Sequence, residues 1–400
     1  MNPASSATER MNPAELRASL SLASVQSLRM LGLFMILPVL AIHARSLPEG
    51  GDPALLGIAL GIYGLTQAAL QLPFGIASDR FGRKPVIIVG LLIFAVGSVV
   101  AALASDLWMM AMGRGLQGAG AISAAVSALV ADSTRESQRT KAMALVGISI
   151  GAMFAVSLIV APPLYRWLGI AGMFAATAVL AVIAIVWVIR GVPDVPRLSR
   201  EPLTRAQFAR VASDPDLMRI NFGIFSLHAV QVALFVVLPG WLIERAGLAA
   251  ADHWMLYLPV VLLSFAPMMP AVGWGERRGR TRVVFLLSVA ALVCVLLGLA
   301  SRPQGIVPFA LLLFVFFSAF NILEASLPSM VSRHAPASVR GAALGLFNTT
   351  QSLGLFTGGL VAGLVRGTWG DAAVFLVAAG LLGAWLLAAS RHRHWPGAAH

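Results

Sequence analysis

The chain of 400 residues is 58% hydrophobic and only 12% charged, and it carries a formal net charge of +12. This composition argues against a water-soluble globular protein and for a chain embedded in a lipid bilayer. The single cysteine excludes an intrachain disulfide, and the sequence shows neither a metal-ligating cluster nor the nucleophile–base pair of an enzyme. We therefore expect a protein that is not an enzyme and needs no cofactor and no metal.

Twelve apolar runs follow one another along the chain, each about long enough to cross ~30 Å of hydrocarbon as a helix. We number them spans one to twelve; they lie near residues 18–42, 54–78, 84–104, 107–131, 139–163, 170–191, 217–243, 253–275, 282–301, 304–330, 340–364 and 371–390. The polar start, residues 1–17, lacks the pattern of a cleaved signal peptide. The sequence predicts an all-α membrane protein with twelve transmembrane helices.

The charges of the connecting segments predict how the chain lies in the membrane. If both termini are cytoplasmic, the outer loops hold only Arg45, Arg166, Arg245, Arg302 and Arg366 of the 29 Lys and Arg residues. Such an excess of basic residues on one side sets the orientation of a membrane protein. The net charge therefore follows from topology, and it does not indicate a nucleic-acid partner.

The longest connection, residues 192–216, is rich in Arg and Pro and separates two six-span halves, residues 18–191 and 217–391. The halves resemble repeats, because Asp79 and Glu276 occupy matching loops, and Arg139 and Arg340 stand at matching starts of later spans. This pattern predicts two pseudo-symmetric six-helix bundles with a cytoplasmic linker between them. A short cytoplasmic tail, residues 392–400, is expected to follow the second bundle.

Polar side chains inside the spans recur in every third span. The pairs are Gln26 and Arg29 in span one, Arg114 and Gln117 in span four, His228 and Gln231 in span seven, and Asn321 and Glu324 in span ten. Each pair is spaced i, i+3 and lies on one helix face, so we expect these four spans to surround a central cavity. Tyr63 and Gln67 of span two join this set. Spans three, six, nine and twelve are expected to face lipid.

Glu324 is the only acidic residue near the middle of a span. A carboxyl group in a low dielectric prefers to be neutral, whereas a nearby arginine holds it ionised, and a group poised between these states can carry a proton. A permanent ion pair with Arg29 or Arg114 is the structural alternative. The two arginines could also attract an anionic substrate or bind backbone carbonyls at helix breaks. His228 is either a second titrating group or a hydrogen-bonded structural residue.

The loop between spans two and three has the sequence Gly75-Ile-Ala-Ser-Asp79-Arg80-Phe-Gly82-Arg83-Lys84-Pro85. Gly82 permits a positive φ angle, and the basic residues mark the cytoplasmic side. A plain basic turn does not account for Asp79, because a carboxylate at the end of a membrane span is costly unless something pairs with it.

This loop resembles the signature G-x-x-x-D-R-x-G-R-K-P of the major facilitator superfamily. The run Gly113-Arg114-Gly-Leu-Gln117-Gly118-Ala-Gly120 resembles the helix-four signature of its proton-coupled members. The first two spans look like the YajR-like branch of bacterial drug:proton antiporters, without that branch's extra soluble C-terminal domain.

The resemblance implies that the loop is a conformational switch. In the family's outward-open state the residue that matches Asp79 lies at the N-terminus of span eleven, here the end marked by Arg340. Arg83 contacts an acid at the end of span four, here Asp132, and Gly75 allows a close helix crossing. Arg80, Gly82 and the repeat-related Glu276 complete the expected switch.

These features predict a secondary active transporter of the bacterial inner membrane. We expect it to be a monomer that exports small amphipathic or drug-like molecules by alternating access, driven by the proton gradient. Its expected partners are the small-molecule substrate, protons and lipid. A proton-coupled importer of a small metabolite and a non-transporting membrane sensor are the alternatives.

Overall fold

The computed structural model describes residues 11–192, 205–336 and 339–391, and this part of the chain is helical. Its helices are α1 (Pro13–Phe34), α2 (Leu37–His43), α3 (Pro53–Phe81), α4 (Arg83–Ala102), α5 (Leu107–Ala119), α6 (Ser123–Asp132), α7 (Glu136–Gly191), α8 (Arg205–Ser213), α9 (Pro215–Glu244), α10 (His253–Arg277), α11 (Thr281–Ala300), α12 (Ile306–His334), α13 (Arg340–Trp369) and α14 (Asp371–Ser390).

Within the described ranges, nine segments are long and apolar enough to cross a membrane. One of them, residues 141–191 of α7, provides two crossings, because Gly169 at φ 63° bends the helix where spans five and six meet. The helix pair α5–α6 and the helix α13 provide the remaining two. The twelve predicted crossings are therefore all present as helices.

Two of the crossings are broken helices, which the spans alone did not predict. Span one is interrupted at Met35 and Ile36, between α1 and α2. Pro38, in the first turn of α2, lacks the N–H that would continue the hydrogen bonding to Phe34. Span four is interrupted at residues 120–122, between α5 and α6. These breaks expose backbone carbonyls inside the bundle, where a side chain must satisfy them.

Helices begin inside two of the segments that the sequence assigns to a tail and a linker. The tail assigned to residues 1–17 includes the first turn of α1, which begins at Pro13 because Asn12 and Glu15 form a capping box. The linker assigned to residues 192–216 contains a helix of its own, α8, and α9 begins within it at Pro215, capped by Asp214. The tail assigned to residues 392–400 lies outside the described residues.

The helices predicted to face lipid expose large apolar side chains, although α5 and α12 of the predicted cavity spans also expose some, such as Met112 and Leu311. Large apolar side chains are exposed on α4, on the second part of α7, on α11 and on α14, which correspond to spans three, six, nine and twelve; examples are Val96, Val182, Leu287 and Leu376. Almost every residue of α9 is buried instead. The exposed apolar faces are those that a bilayer covers.

In the described part of the chain, the two halves pack together at the outer side and at mid-helix, where Gln67 meets Ser352. We call the side with the loop at Gly82 the inner side, since charge predicts it to be cytoplasmic, and the opposite side the outer side. At the outer side α3 and α13 are in backbone contact, and Arg45 Nη1 lies 2.8 Å from Glu244 Oε1 across the halves. At the inner side, Gly341 of α13 has open space beside it, and Asp79 is exposed. The conformer is closed outside and open inside.

Candidate functional site

Two buried arginines flank one tyrosine in the N-terminal half. The guanidinium carbon of Arg29 lies 5.9 Å from the centre of the Tyr63 ring, and that of Arg114 lies 5.4 Å from it. Arg29 also donates a hydrogen bond to the Tyr63 hydroxyl. Because α1, α3 and α5 each supply one of these side chains, their packing alone positions the group.

The polar residues around the arginines are neutral. Arg114 Nη1 donates to Gln117 Oε1 at 3.1 Å, and Gln117 Nε2 donates to Ser98 Oγ at 2.8 Å. Gln26 Nε2 donates to Ser123 Oγ at 3.1 Å. We call Arg29, Tyr63, Gln67, Arg114 and Gln117 the arginine cluster.

Arg29 binds the groups at the break of span four. Its Nη2 donates to Ser123 Oγ at 2.9 Å, at the start of α6, and its Nη1 lies 3.4 Å from the carbonyl oxygen of Gly120. Of the three roles considered for this arginine, the geometry matches the binding of a carbonyl at a helix break.

The second group of buried polar residues lies in the C-terminal half. His228 Nδ1 donates to the Ile224 carbonyl at 3.2 Å, which leaves Nε2 to accept a hydrogen bond from Gln351 Nε2 at 2.7 Å. Gln351 Nε2 also lies 3.5 Å from Glu324 Oε1, and His228 Nε2 lies 3.9 Å from Glu324 Oε2. We call His228, Glu324 and Gln351 the acid cluster.

Glu324 has no arginine beside it in this conformer. The expected alternative was a permanent pair with Arg29 or Arg114, but in the described part of the chain Glu324 meets only His228 and Gln351. About one third of its side chain, 34%, is exposed, while its Oε2 atom has no hydrogen-bond partner among the described residues. In the described structure the carboxyl group is therefore not fixed in an ion pair with an arginine.

The other two predicted cavity residues of the second half lie near this cluster in sequence but make different contacts. Asn321 Nδ2 donates to Ser264 Oγ of α10 at 3.0 Å. Gln231 is buried on α9, and its Oε1 atom has no hydrogen-bond partner within the described ranges.

One glutamine connects the two halves at the level of these clusters. Gln67 Nε2 donates to Ser352 Oγ of α13 at 3.0 Å, and its Oε1 lies 3.5 Å from Arg29 Nη2. Ser352 directly follows Gln351 in the sequence. The same turn of α13 therefore contacts the arginine cluster through Ser352 and the acid cluster through Gln351.

The loop between α3 and α4 is organised around Arg83. Its Nε donates to Asp132 Oδ2 at 3.1 Å, its Nη1 donates to Ser78 Oγ at 2.7 Å, and it forms an ion pair with Asp79. Gly82 adopts φ 103°, which lets α4 start directly after α3.

The expected contact between Asp79 and the N-terminus of α13 is not formed in this conformer. The Asp79 side chain is 65% exposed, and Arg80 and Arg340 are exposed as well. A Cβ atom on Gly75 would meet only the Ala124 side chain, at 3.6 Å, so no close crossing occurs there. The side chain of Glu276 lies outside what the structure describes. The resemblance assigns these contacts to the opposite, outward-open state, where they remain a prediction.

Residues 22–359 match the family model described as Major Facilitator Superfamily. The chain belongs to the major facilitator superfamily. It is 43% identical over 390 residues to the inner membrane transport protein YajR of Escherichia coli K12, covering 97% of this chain and 86% of that protein. It is 30% identical over 353 residues to the multidrug resistance protein MdtH of Edwardsiella ictaluri, covering 85% of this chain and 83% of MdtH.

Solved structures show the same fold. The nucleoside transporter NupG matches with a TM-score of 0.71 at 15% identity, over 96% of this chain and all of that one. A bacterial homologue of the human lysosomal transporter Spinster matches with a TM-score of 0.74 at 12% identity, over 96% and 98% of the two chains. This major facilitator protein is thus a secondary transporter rather than an enzyme, and it binds a small-molecule substrate within the membrane.

In this transporter, we expect Asp79→Asn to reduce transport strongly while the protein still folds and inserts. The substitution keeps the shape of the side chain but removes the charge that would meet the α13 N-terminus in the outward-open state. A partly buried anion at a helix N-terminus contributes up to about 2 kcal/mol, which corresponds to a shift of about 30-fold between two conformers.

Initial transport rates in reconstituted vesicles measure this effect. Glu49→Gln, an exposed acid in an outer loop, is the matched control and should transport at the wild-type rate. Wild-type turnover of Asp79→Asn would show that the loop does not act as the switch.

The sequence analysis missed three side chains that complete the site. Gln351 was visible as a polar residue of span eleven, and its i, i+3 partner Asn348 gave the same signal as the other pairs. Ser123 and Ser352 carried no such signal, because single serines are common in apolar helices and only the packing shows what they bind.

Proposed function

We propose that this transporter exports small amphipathic molecules across the bacterial inner membrane in exchange for protons, by alternating access and as a monomer with both termini cytoplasmic. The similarity to YajR, named as an inner membrane transport protein, and to the multidrug resistance protein MdtH supports the location and the direction.

The observation that carries the proposal is the surroundings of Glu324. It is an intramembrane carboxyl group whose partners in the described chain, His228 and Gln351, are neutral hydrogen-bonding side chains. Ionisable groups inside membrane spans are costly and mark ion or substrate pathways. With no guanidinium beside it, Glu324 is free to bind and release a proton during a transport cycle.

The neighbours of Glu324 suit both of its charge states. When ionised, its Oε1 atom accepts from Gln351 Nε2, which lies 3.5 Å away. When protonated, it can donate towards His228 Nε2, which is oriented as an acceptor by the bond from Nδ1 to Ile224. Protonation therefore redirects Gln351 between two partners on different helices, and Gln351 stands on α13, the helix that joins the halves.

The inward-open conformer is the state in which an exporter loads its substrate. In this conformer the outer ends of the halves are in contact, and Asp79 at the inner side is exposed. The exported molecule would bind from inside and the proton would leave to the same side. Contact of Asp79 with α13 would then close the inner side.

Proton movement in reconstituted vesicles tests the proposal. A thermal-shift screen of drugs, sugars and amino acids against the purified protein first selects a binding compound. That compound is then added to vesicles that contain the pH-sensitive dye pyranine. We expect the compound and protons to move in opposite directions. Movement of the compound and protons in the same direction would identify an importer. A compound that binds but neither crosses the membrane nor moves protons would indicate a non-transporting sensor.

A further inference from the structure

The arginine cluster holds two positive charges for which the described chain provides no acidic partner. We infer that Arg29 and Arg114 form a binding site for an anionic group, a carboxylate, sulfonate or phosphate, of the transported molecule. That the bound molecule is transported rests on the proposed function. Anion binding itself rests on the contacts of the two arginines.

Both guanidinium groups are removed from solvent. Arg29 and Arg114 are each only 1% exposed, and within the described residues every hydrogen-bond acceptor around them is a neutral hydroxyl, amide or carbonyl group. Buried charges in proteins are ordinarily paired with an opposite charge or bound to an ion. The two guanidinium groups around the Tyr63 ring are therefore expected to bind an anion.

Each arginine also has hydrogen-bonding capacity left over. The Nε atoms of Arg29 and Arg114 are buried and have no hydrogen-bond partner in the described ranges. Two bonds of Arg29, to the Gly120 carbonyl at 3.4 Å and to Gln67 Oε1 at 3.5 Å, are at the long limit for a hydrogen bond. A guanidinium group binds a carboxylate, sulfonate or phosphate through two parallel bonds, which these weak contacts leave possible.

The two arginines differ in their contacts. Arg29 binds groups at the break of span four, Ser123 and Gly120, whereas Arg114 packs on the Tyr63 ring of α3 and, within the described residues, donates a hydrogen bond only to Gln117 of its own helix. The hydrogen bonding of Arg114 therefore joins no two helices. Glu324 does not provide the missing charge, since its contacts are with α9 and α13 in the other half.

The site is connected to the contact between the halves. An anion that takes the Nη2 hydrogen of Arg29 would compete with Gln67 Oε1, and Nε2 of the same amide donates to Ser352 of α13, one residue away from Gln351 of the acid cluster.

Binding of two matched probes to the purified full chain tests this site. Benzenesulfonate and benzenesulfonamide have nearly the same shape, but only the first is charged. In calorimetry at constant ionic strength and without a proton gradient, we expect wild type to bind the sulfonate at least about tenfold more tightly than the sulfonamide. Arg29→Gln and Arg114→Gln should each remove most of this preference. Arg166→Gln, at an exposed arginine of α7 three residues before the bend at Gly169, is the control and should keep it.

Equal affinity for the two probes in wild type, or no binding of the sulfonate, would overturn the inference, as would an unchanged preference in both Gln variants. If the Gln variants do not yield folded protein, Arg29→Lys and Arg114→Lys provide the test instead. Lysine keeps the positive charge but lacks the planar guanidinium group that binds an anion through two parallel hydrogen bonds. Their preference should fall but persist, and an unchanged or absent preference in both contradicts the site. Binding is measured here without a proton gradient and without transport, so failure of the proposed proton coupling and failure of this site give different results.

Discussion

Glu324→Gln is expected to abolish the substrate gradient that a pH gradient drives, while substrate binding and passive exchange survive. Glutamine has the shape of the protonated glutamic acid but cannot lose a proton. One pH unit across the membrane provides about 1.4 kcal/mol per proton, enough for about a tenfold substrate gradient when one proton is exchanged per molecule. The variant should therefore show no gradient where wild type reaches about tenfold.

Reconstituted vesicles with an imposed pH gradient measure this accumulation, and counterflow of labelled substrate without a gradient measures exchange. Glu49→Gln removes an exposed carboxylate from an outer loop and should behave as wild type. A substrate gradient in Glu324→Gln vesicles would show that the proton binds elsewhere, and His228 and Asp132 would be examined next.

The acid cluster shows how far sequence reasoning reaches. Glu324 could be singled out from sequence, because an acid in the middle of an apolar span is rare and costly. Its partners could not, since they come from α9 and α13 and their approach depends on how three helices pack. The sequence offered the two arginines as partners instead, and in the described structure these lie against Tyr63 in the other half.

The fold was predictable to the level of spans but not of helix breaks. Length and hydropathy fix how many times the chain crosses the membrane. Pro38 indicated that span one could be interrupted near Met35 and Ile36. Proline is tolerated in many membrane helices, however, and does not by itself end a helix. The break after Ala119 is contacted by Arg29 from another helix, through Ser123 Oγ at 2.9 Å and the Gly120 carbonyl at 3.4 Å, and no local pattern records these contacts.

The outer contact between the halves was equally invisible in the sequence. Arg45 and Glu244 are exposed loop residues from opposite halves, and nothing in either loop indicates the other. Their ion pair is about half exposed, so it contributes at most about 1 kcal/mol. Helix packing across the halves, of α3 with α13 and of α2 with α9, must therefore provide most of the stability of the outer closure.

Gly359→Leu is expected to hold the transporter open at the outer side and to reduce transport to background. A Cβ atom on Gly359 would overlap the carbonyl oxygen of Gly57, and backbone atoms cannot turn aside as a side chain can. Overpacking of this kind costs about 1–3 kcal/mol, and 3 kcal/mol shifts a two-state equilibrium by about 100-fold. In the outward-open state the outer ends separate and the leucine fits, so the cost falls only on the conformer described here.

Spin labels on cysteines introduced at Glu49 and Arg302, one in an outer loop of each half, report the opening, with Cys294 replaced by serine. Their distance should lengthen in Gly359→Leu. Gly380→Leu is the matched control, because an added Cβ there meets nothing within 4 Å on the exposed face of α14. It should keep the wild-type distance and rate. Since the leucine acts on the closed conformer and not on the clusters, Gly359→Leu should still bind substrate from the outer side. An unchanged label distance together with wild-type transport would mean that the glycine contact does not decide which side is closed.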